Sequence, residues 1–277
     1  MADRLFILVN CLLVALVAAV FAWILADLVL KGAALLSGSF LIEAPSDAGR
    51  SGGIGPILLS TLLILAVALG VAIPLGLMVA VWLAEFAPRG SRTGQIIGLS
   101  LDSLAGVPSI VYGLFGNAFF CIVLGLGFSI LSGALTLACM ILPVFIRTCE
   151  FGLSAVNDEW RKGALALGMC RTATVWHILL PAASPAILAG LILGIGRATA
   201  ETAALLFTSG YVDRIPESLL DSGRALAVHI YDLSMNVSGG DQAAYASAFV
   251  LISLIAVLNI LAQSLADHWF TRRMIAV

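Results

Sequence analysis

The sequence predicts an all-α, polytopic membrane protein of about six transmembrane helices, organised as one domain over 1–277. Three observations predict it. Of 277 residues, 61% are hydrophobic and 11% charged, against about 25% charged in ordinary soluble domains, so lipid must solvate much of the surface. Six apolar runs are each long enough for the roughly 20 residues that a crossing needs. The basic residues gather on alternate connecting segments, the bias that fixes membrane orientation.

The six runs are 5–30, 56–84, 96–127, 130–147, 184–207 and 243–266. The first is too long for a signal-peptide core of about 7–15 residues and is expected to remain as a span. The third is interrupted by Gly106 and Pro108. With the N-terminus inside, the inner segments hold Arg4, Arg89, Arg92, Arg147, Arg161, Lys162, Arg171, Arg272 and Arg273, and the outer ones Lys31, Arg50, Arg214 and Arg224. Nine against four places both termini in the cytoplasm, with Arg197 left inside a span. The outer loop 209–242 is acidic (Asp213, Glu217, Asp221, Asp232, Asp241). The inner loop 147–181 mixes charge with helix-compatible apolar residues and is expected to form short helices at the membrane surface.

Several function classes are excluded by absent patterns. The two lysines, Lys31 and Lys162, end no G-x-x-x-x-G-K-[ST] loop, so this chain has no P-loop for ATP. There is no H-E-x-x-H or G-x-S-x-G, and His177, His229 and His268 are scattered. Cys11, Cys121, Cys139, Cys149 and Cys170 form no C-x-x-C pair, which argues against a disulfide framework or a zinc site. A net charge of −2 gives no basic patch for nucleic acid. The chain is therefore expected to be no enzyme and to bind no cofactor. Any energised work needs a partner, and membrane lipid is the solvent.

Four features carry chemistry. Arg197 and Glu201 in the fifth span are spaced i, i+4 and so share a helical face, with Ala204 and Thr208 continuing it. Charges there cost about 2.5–3.5 kcal/mol each and mark a pathway or form an ion pair gluing two helices. A guanidinium on a pathway suits an oxyanion. In the third span, Gly106-Val107-Pro108-Ser109-Ile110-Val111-Tyr112-Gly113 breaks the helix. A half-helix starting near Pro108 would offer free N–H groups to an anion, or the proline is a packing kink. Asp102 lies about 9 Å into that span, as a pathway or an interfacial carboxylate. Gly190 and Gly194 form a small-xxx-small pair that predicts close helix packing. In the inner loop, Gly168 can end a short helix and Pro181 can open the next span.

The stretch 161–181 resembles the cytoplasmic loop of binding-protein-dependent ABC importer permeases, E-A-A-x-x-x-G followed by I-x-L-P, at Ala164, Gly168, Ile178, Leu180 and Pro181. Lys162 stands where the pattern has Glu, and Gly163 where it has Ala. Gly52-Gly53-Ile54-Gly55-Pro56, the run from Gly106 to Gly116, Ile141-Leu142-Pro143 with Arg147-Thr148, Arg197-Ala198 with Glu201-Thr202-Ala203, and Ala204-Leu205-Leu206-Phe207-Thr208 resemble PstA-type phosphate permeases. The likeness spans roughly 52–208. Ala200 replaces an expected Gly and Ala204 an expected Pro, both favouring a straighter fifth span.

The resemblance implies a type I ABC importer permease of an inner membrane, working by alternating access. It implies a sister PstC-type permease, two copies of an ATPase that bind ATP and Mg, and an external phosphate-binding protein. Arg197, Glu201, Ser109, Tyr112 and Asp102 would line the pathway. Arg161, Lys162, Ala164, Gly168, Leu180 and Pro181 would couple it to the ATPase. Two other readings stand beside this one: a permease for another oxyanion (sulfate, molybdate or phosphonate), and a self-sufficient channel or secondary transporter using Arg197, Glu201 and Asp102 as a relay.

Overall fold

The structure, a computed structural model, describes residues 2–88 and 90–275, the side chains of 2, 3, 5 and 266–275 excepted. Arg89, counted above on the inside, lies outside the described residues, as do the side chains of Arg272 and Arg273. The fold is mostly helical, and helices are one of the two ways, with closed barrels, in which a backbone in lipid satisfies its own polar groups. α1 (Ala2–Gly32) leads to the short α2 (Gly38–Ile42) and to a hairpin of two-residue strands, β1 (Pro45–Ser46) and β2 (Ser51–Gly52). α3 (Gly55–Val81) opens on Pro56, whose missing N–H costs nothing at a helix start, and runs on through a π turn, Trp82–Phe86. Ser91 caps α4 (Arg92–Ala105) by accepting a hydrogen bond from Gly94 N at 3.1 Å. α5 (Ser109–Gly116) follows and continues as a π segment, Asn117–Val123.

Ser129 caps the central helix α6 (Ile130–Ser154). Beyond it come α7 (Asp158–Ala166), capped by Asn157, then α8 (Arg171–Thr174), the π turn Val175–Leu179 and α9 (Leu180–Ala182). α10 (Ser184–Thr199) is followed by a single turn, α11 (Ala203–Leu206), then α12 (Leu226–Met235) and α13 (Asp241–Ile275). The start of α6 meets the 209–226 segment, since Ile130 N donates to Asp221 O. Its other end leads into α7, so α7 and α12 mark opposite faces of the molecule.

Packing converges on α6. In α3 the buried residues Ile64, Ala68, Ala72, Gly76 and Ala80 recur every fourth position, a smooth ridge that lets the backbones approach. A Cβ on Gly76 would lie 2.5 Å from the Phe145 ring. α10 reaches α6 in the same way: a Cβ on Gly190 would sit 3.2 Å from Phe145 and Thr148, and one on Gly194 2.9 Å from Ile141. The small pair is a packing seam, as expected from its spacing. The apolar window of α6 is 67% buried and that of α1 0%, so α6 is the core and α1 the outermost element.

Among the described residues, four helices are long and apolar enough to cross a membrane: Phe6–Leu35, Gly55–Phe86, Ile130–Ser154 and Asp241–Leu265. Two bent pairs make six if each counts as one span. They are Arg92–Ala105 with Ser109–Val123, bent by 103°, and Arg171–Ala182 with Ser184–Thr199, bent by 69°. The run 96–127 is broken where the sequence indicates, since Pro108 is extended (φ −60°, ψ 142°) and starts α5 instead of continuing α4. Two expectations need correction. The fourth helix passes its expected end at 147 and reaches Ser154, since the Arg147–Glu150 pair at i, i+3 supports another turn. The fifth does not run straight to 207. It ends at Thr199 and resumes at Ala203, despite the alanines at 200 and 204, because tertiary packing outweighs propensity.

Candidate functional site

Two regions collect the predicted residues: the breaks at 106–108 and 200–202, and the turn around α7. At the first break, the turn closes through Gly106 N to Ser103 O and Val107 N to Leu104 O. The Tyr112 hydroxyl then reaches back across it, donating to Leu104 O at 2.9 Å. That bond gives the Leu104 carbonyl a second donor beside Val107 N and ties α5 to the end of α4. Tyr112 is buried, and Ser109 opens α5 half-buried, without a side-chain hydrogen bond among the described residues. Residues 203–209 thread between α5 and α6. A Cβ on Gly113 would meet Ala204 Cα at 2.8 Å, so only glycine permits this approach, and Asn117 Nδ2 donates to Phe207 O at 2.8 Å.

Arg197 stands in the last turn of α10, half-buried, where a cation favours the C-terminal end of the helix dipole. Among the described residues it makes no ion pair and no hydrogen bond. Glu201 is not its partner. The i, i+4 argument needs a continuous helix, and here the helix stops at Thr199. Buried at 9% exposure, Glu201 instead caps α11, its Oε1 accepting from Ala204 N at 3.1 Å. Thr208 is fully buried and donates to Ala204 O.

Asp102 belongs elsewhere. Its carboxylate takes Arg147 in a two-point pair (Nε to Oδ1 2.8 Å, with Nη2 on Oδ2), while Arg147 Nη1 holds Glu150 at 2.8 Å. Arg147 lies flat over Gly98, where a Cβ would come within 3.1 Å of it. The trio clamps α4 onto α6 across 45 residues, a pairing that no local spacing announces.

At the other region, α7 is ended by Gly168 at φ +75°, with Met169 N bonding Ala164 O at 3.0 Å, a left-handed cap that favours glycine. Ala164 is the one buried residue of α7. Lys162 is exposed and unpaired among the described residues, beside Trp160, Leu165 and Leu167, which are 55%, 62% and 82% exposed. Leu180 and Pro181 are buried, so they seat the loop and offer no surface to a partner. Arg161 is not a free cation. Its guanidinium holds Glu85 at the end of α3 (Nη2 to Oε1 2.6 Å) and Asp158 at 3.2 Å, the first pairing spanning 76 residues. A cleft of about 860 Å³ opens between them, lined by Glu85, Pro88, Asp158, Arg161, Lys162 and Arg171. Among the described residues no three His, Cys, Asp or Glu side chains converge on a metal site.

The opposite face carries a third polar cluster. His229 is fully buried with Nε2 unpartnered, and Arg224 Nη1 donates to its Nδ1 at 3.5 Å while lying 3.5 Å from Asp232.

Residues 72–275 match the family model described as "Binding-protein-dependent transport system inner membrane component". The chain is 32% identical over 268 residues to the probable ABC transporter permease protein YqgI of Bacillus subtilis, covering 92% of this chain and 90% of that protein. It is 36% identical over 225 residues to the phosphate transport system permease protein PstA 1 of Mycobacterium tuberculosis, covering 80% and 73% respectively. Two solved structures share the fold. A chain of the inward-facing MetNI methionine ABC transporter aligns at TM-score 0.59 with 15% identity, over 79% of this chain and 96% of that one. A bacterial ABC transporter for import of the acidic polysaccharide alginate aligns at 0.56 with 16% identity, over 93% and 95%.

Proposed function

This chain belongs to the family of binding-protein-dependent transport system inner membrane components, and we propose that it is the transmembrane permease subunit of an ATP-driven inorganic phosphate importer. The observation that carries the reading is Arg197: a half-buried guanidinium in an apolar helix, with no carboxylate on it among the described residues. An unpaired charge there is costly, and a passing oxyanion is the counter-charge that repays its retention. Phosphate fits a planar fork of donors, and the open N–H groups at the start of α5 add a second positive pole. The likeness to phosphate permeases at 36% identity supports phosphate over sulfate, molybdate or phosphonate.

In this reading the α7 face and both termini are cytoplasmic and the α12 face is external. Arg197 holds the anion in transit. Tyr112 positions the α4–α5 bend beside it and Ser109 supplies a hydroxyl at its mouth. A sister PstC-type permease completes the pathway, and an external phosphate-binding protein delivers phosphate to the α12 face. Two ATPase copies bind ATP and Mg, dock against α7, and drive alternating access. Asp102 and Glu201 serve as structural carboxylates. With the first bound to Arg147 and the second to the backbone of α11, the proton or ion relay of a self-sufficient transporter has no support.

The test is uptake of radiolabelled phosphate in cells with this gene deleted and restored, with excess sulfate or molybdate as competitor. Uptake lost on deletion, regained on restoration and indifferent to the competitors is expected. Unchanged uptake in cells lacking any second phosphate system would refute the assignment.

A further inference from the structure

We propose that Glu85 is the positioning residue through which α7 moves α3, so that the Arg161–Glu85 pair carries the ATPase signal into the membrane. All five N–H groups of Arg161 are spent on this chain. Nε reaches Glu85 Oε1 and Oε2 at 3.1 and 3.3 Å, and Nη2 takes Glu85 Oε1 at 2.6 Å and Leu153 O at 2.7 Å. Nη1 takes Val156 O at 2.6 Å and Asp158 Oδ1 at 3.2 Å. A guanidinium so saturated has nothing left for a docked partner. The side chains of Arg161 and Glu85 are 19% and 13% exposed, so the pair is screened from solvent and stiff.

The topology makes this contact matter. α7 is joined by the chain to α6 on one side and to α8 on the other, and Ala164 alone of its residues is buried. It is linked to α3 by no neighbouring stretch of chain. The fork of Arg161 bridges three things at once: α7 itself, the last carbonyls of α6, and Glu85. Glu85 lies in the π turn Trp82–Phe86, whose wide loop closes with Ala87 N on Trp82 O at 2.8 Å. Such turns recur at functional sites. From Glu85 the chain stays helical, through Pro74, to Gly55 at the opposite face, so a push on the exposed Trp160, Leu165 and Leu167 reaches the far end of the pathway along α3. α3 is packed along α6, and the Arg161–Glu85 pair adds a direct tie from α7 to that packed unit, a contiguous network of the kind that carries coupling between distant sites.

This inference rests on the proposed docking of an ATPase at α7. It is tested in the complete complex in proteoliposomes, reading phosphate transported per ATP hydrolysed, and ATPase co-purification separately. For Glu85→Ala, transport per ATP is expected to fall about tenfold, within the ordinary range of coupling energies, with co-purification unchanged. Glu85→Gln keeps shape and one acceptor; its smaller fall in the same ratio decides the matter if the alanine variant fails to assemble. A ratio equal to wild type in the assembled variant, with transport and hydrolysis falling together, overturns the positioning role. A wild-type complex that hydrolyses ATP with no phosphate transport overturns the proposed function itself, and this inference with it.

Discussion

His229 gives a pH dependence whose size follows from its surroundings. It lies in α12, outside the membrane-crossing helices, and is fully buried. Arg224 can only donate, so Nδ1 accepts and the ring proton sits on Nε2, which has no partner. Burial first, and then the Arg224 charge, push the imidazole down from 6.5 to about 4, with Asp232 and Asp213 opposing weakly. The sign follows. Between these values the unfolded chain binds the proton and the folded one does not, so stability is complete above 6.5 and falls as pH drops toward 4. A gap of about 2.5 pH units is worth about 3 kcal/mol in all, of which roughly 2.5 kcal/mol is lost between about pH 7.5 and 4.5. Carboxylates titrate in part of this window, so the measurement is a difference. Denaturation midpoints in detergent are compared for the wild type and His229→Gln across that range. The wild type should lose stability more steeply, by that margin. Equal slopes would refute the argument that this ring is held neutral by its burial.

Three further outcomes are expected. Gly116→Ala places a Cβ 2.1 Å from Thr136 Oγ1 and should cost about 1–3 kcal/mol by overpacking; adding Thr136→Ala should recover most of it in the same denaturation assay. Glu201→Ala removes the acceptor of Ala204 N and should cost about 2 kcal/mol, while Glu201→Gln, which keeps an acceptor, should cost less than about 1 kcal/mol. Lys162→Glu reverses an exposed charge beside the apolar face of α7 and should alter both ATPase affinity and its salt dependence, measured by binding at two ionic strengths.

Much of this architecture is readable from local pattern. Apolar length marks the spans, Pro108 marks the bend, and Gly190 with Gly194 marks the seam on α6, because lipid, a missing N–H and a missing Cβ act over a few residues. The site is harder to read. Arg197 and Glu201 part because the path of 203–209 between α5 and α6 overrides the helix that their spacing assumes. Asp102 meets Arg147 and Glu85 meets Arg161 only when α4 and α3 pack against the α6–α7 region, and charges 45 and 76 residues apart carry no periodic signal. Helix α12 lies inside the acidic outer loop 209–242, for which no helix is expected. Leu180 and Pro181 match a motif yet are buried, so a motif locates a loop without saying which of its side chains face outward.

The central claim is that Arg197 is the anion's partner in the pathway. Its most direct measurement is phosphate uptake by assembled complexes carrying Arg197→Ala and Arg197→Lys, with assembly checked by co-purification of the partner subunits. The account predicts that alanine abolishes uptake, that lysine retains a part of it, and that both assemble normally. Wild-type uptake by an assembled Arg197→Ala complex would contradict it.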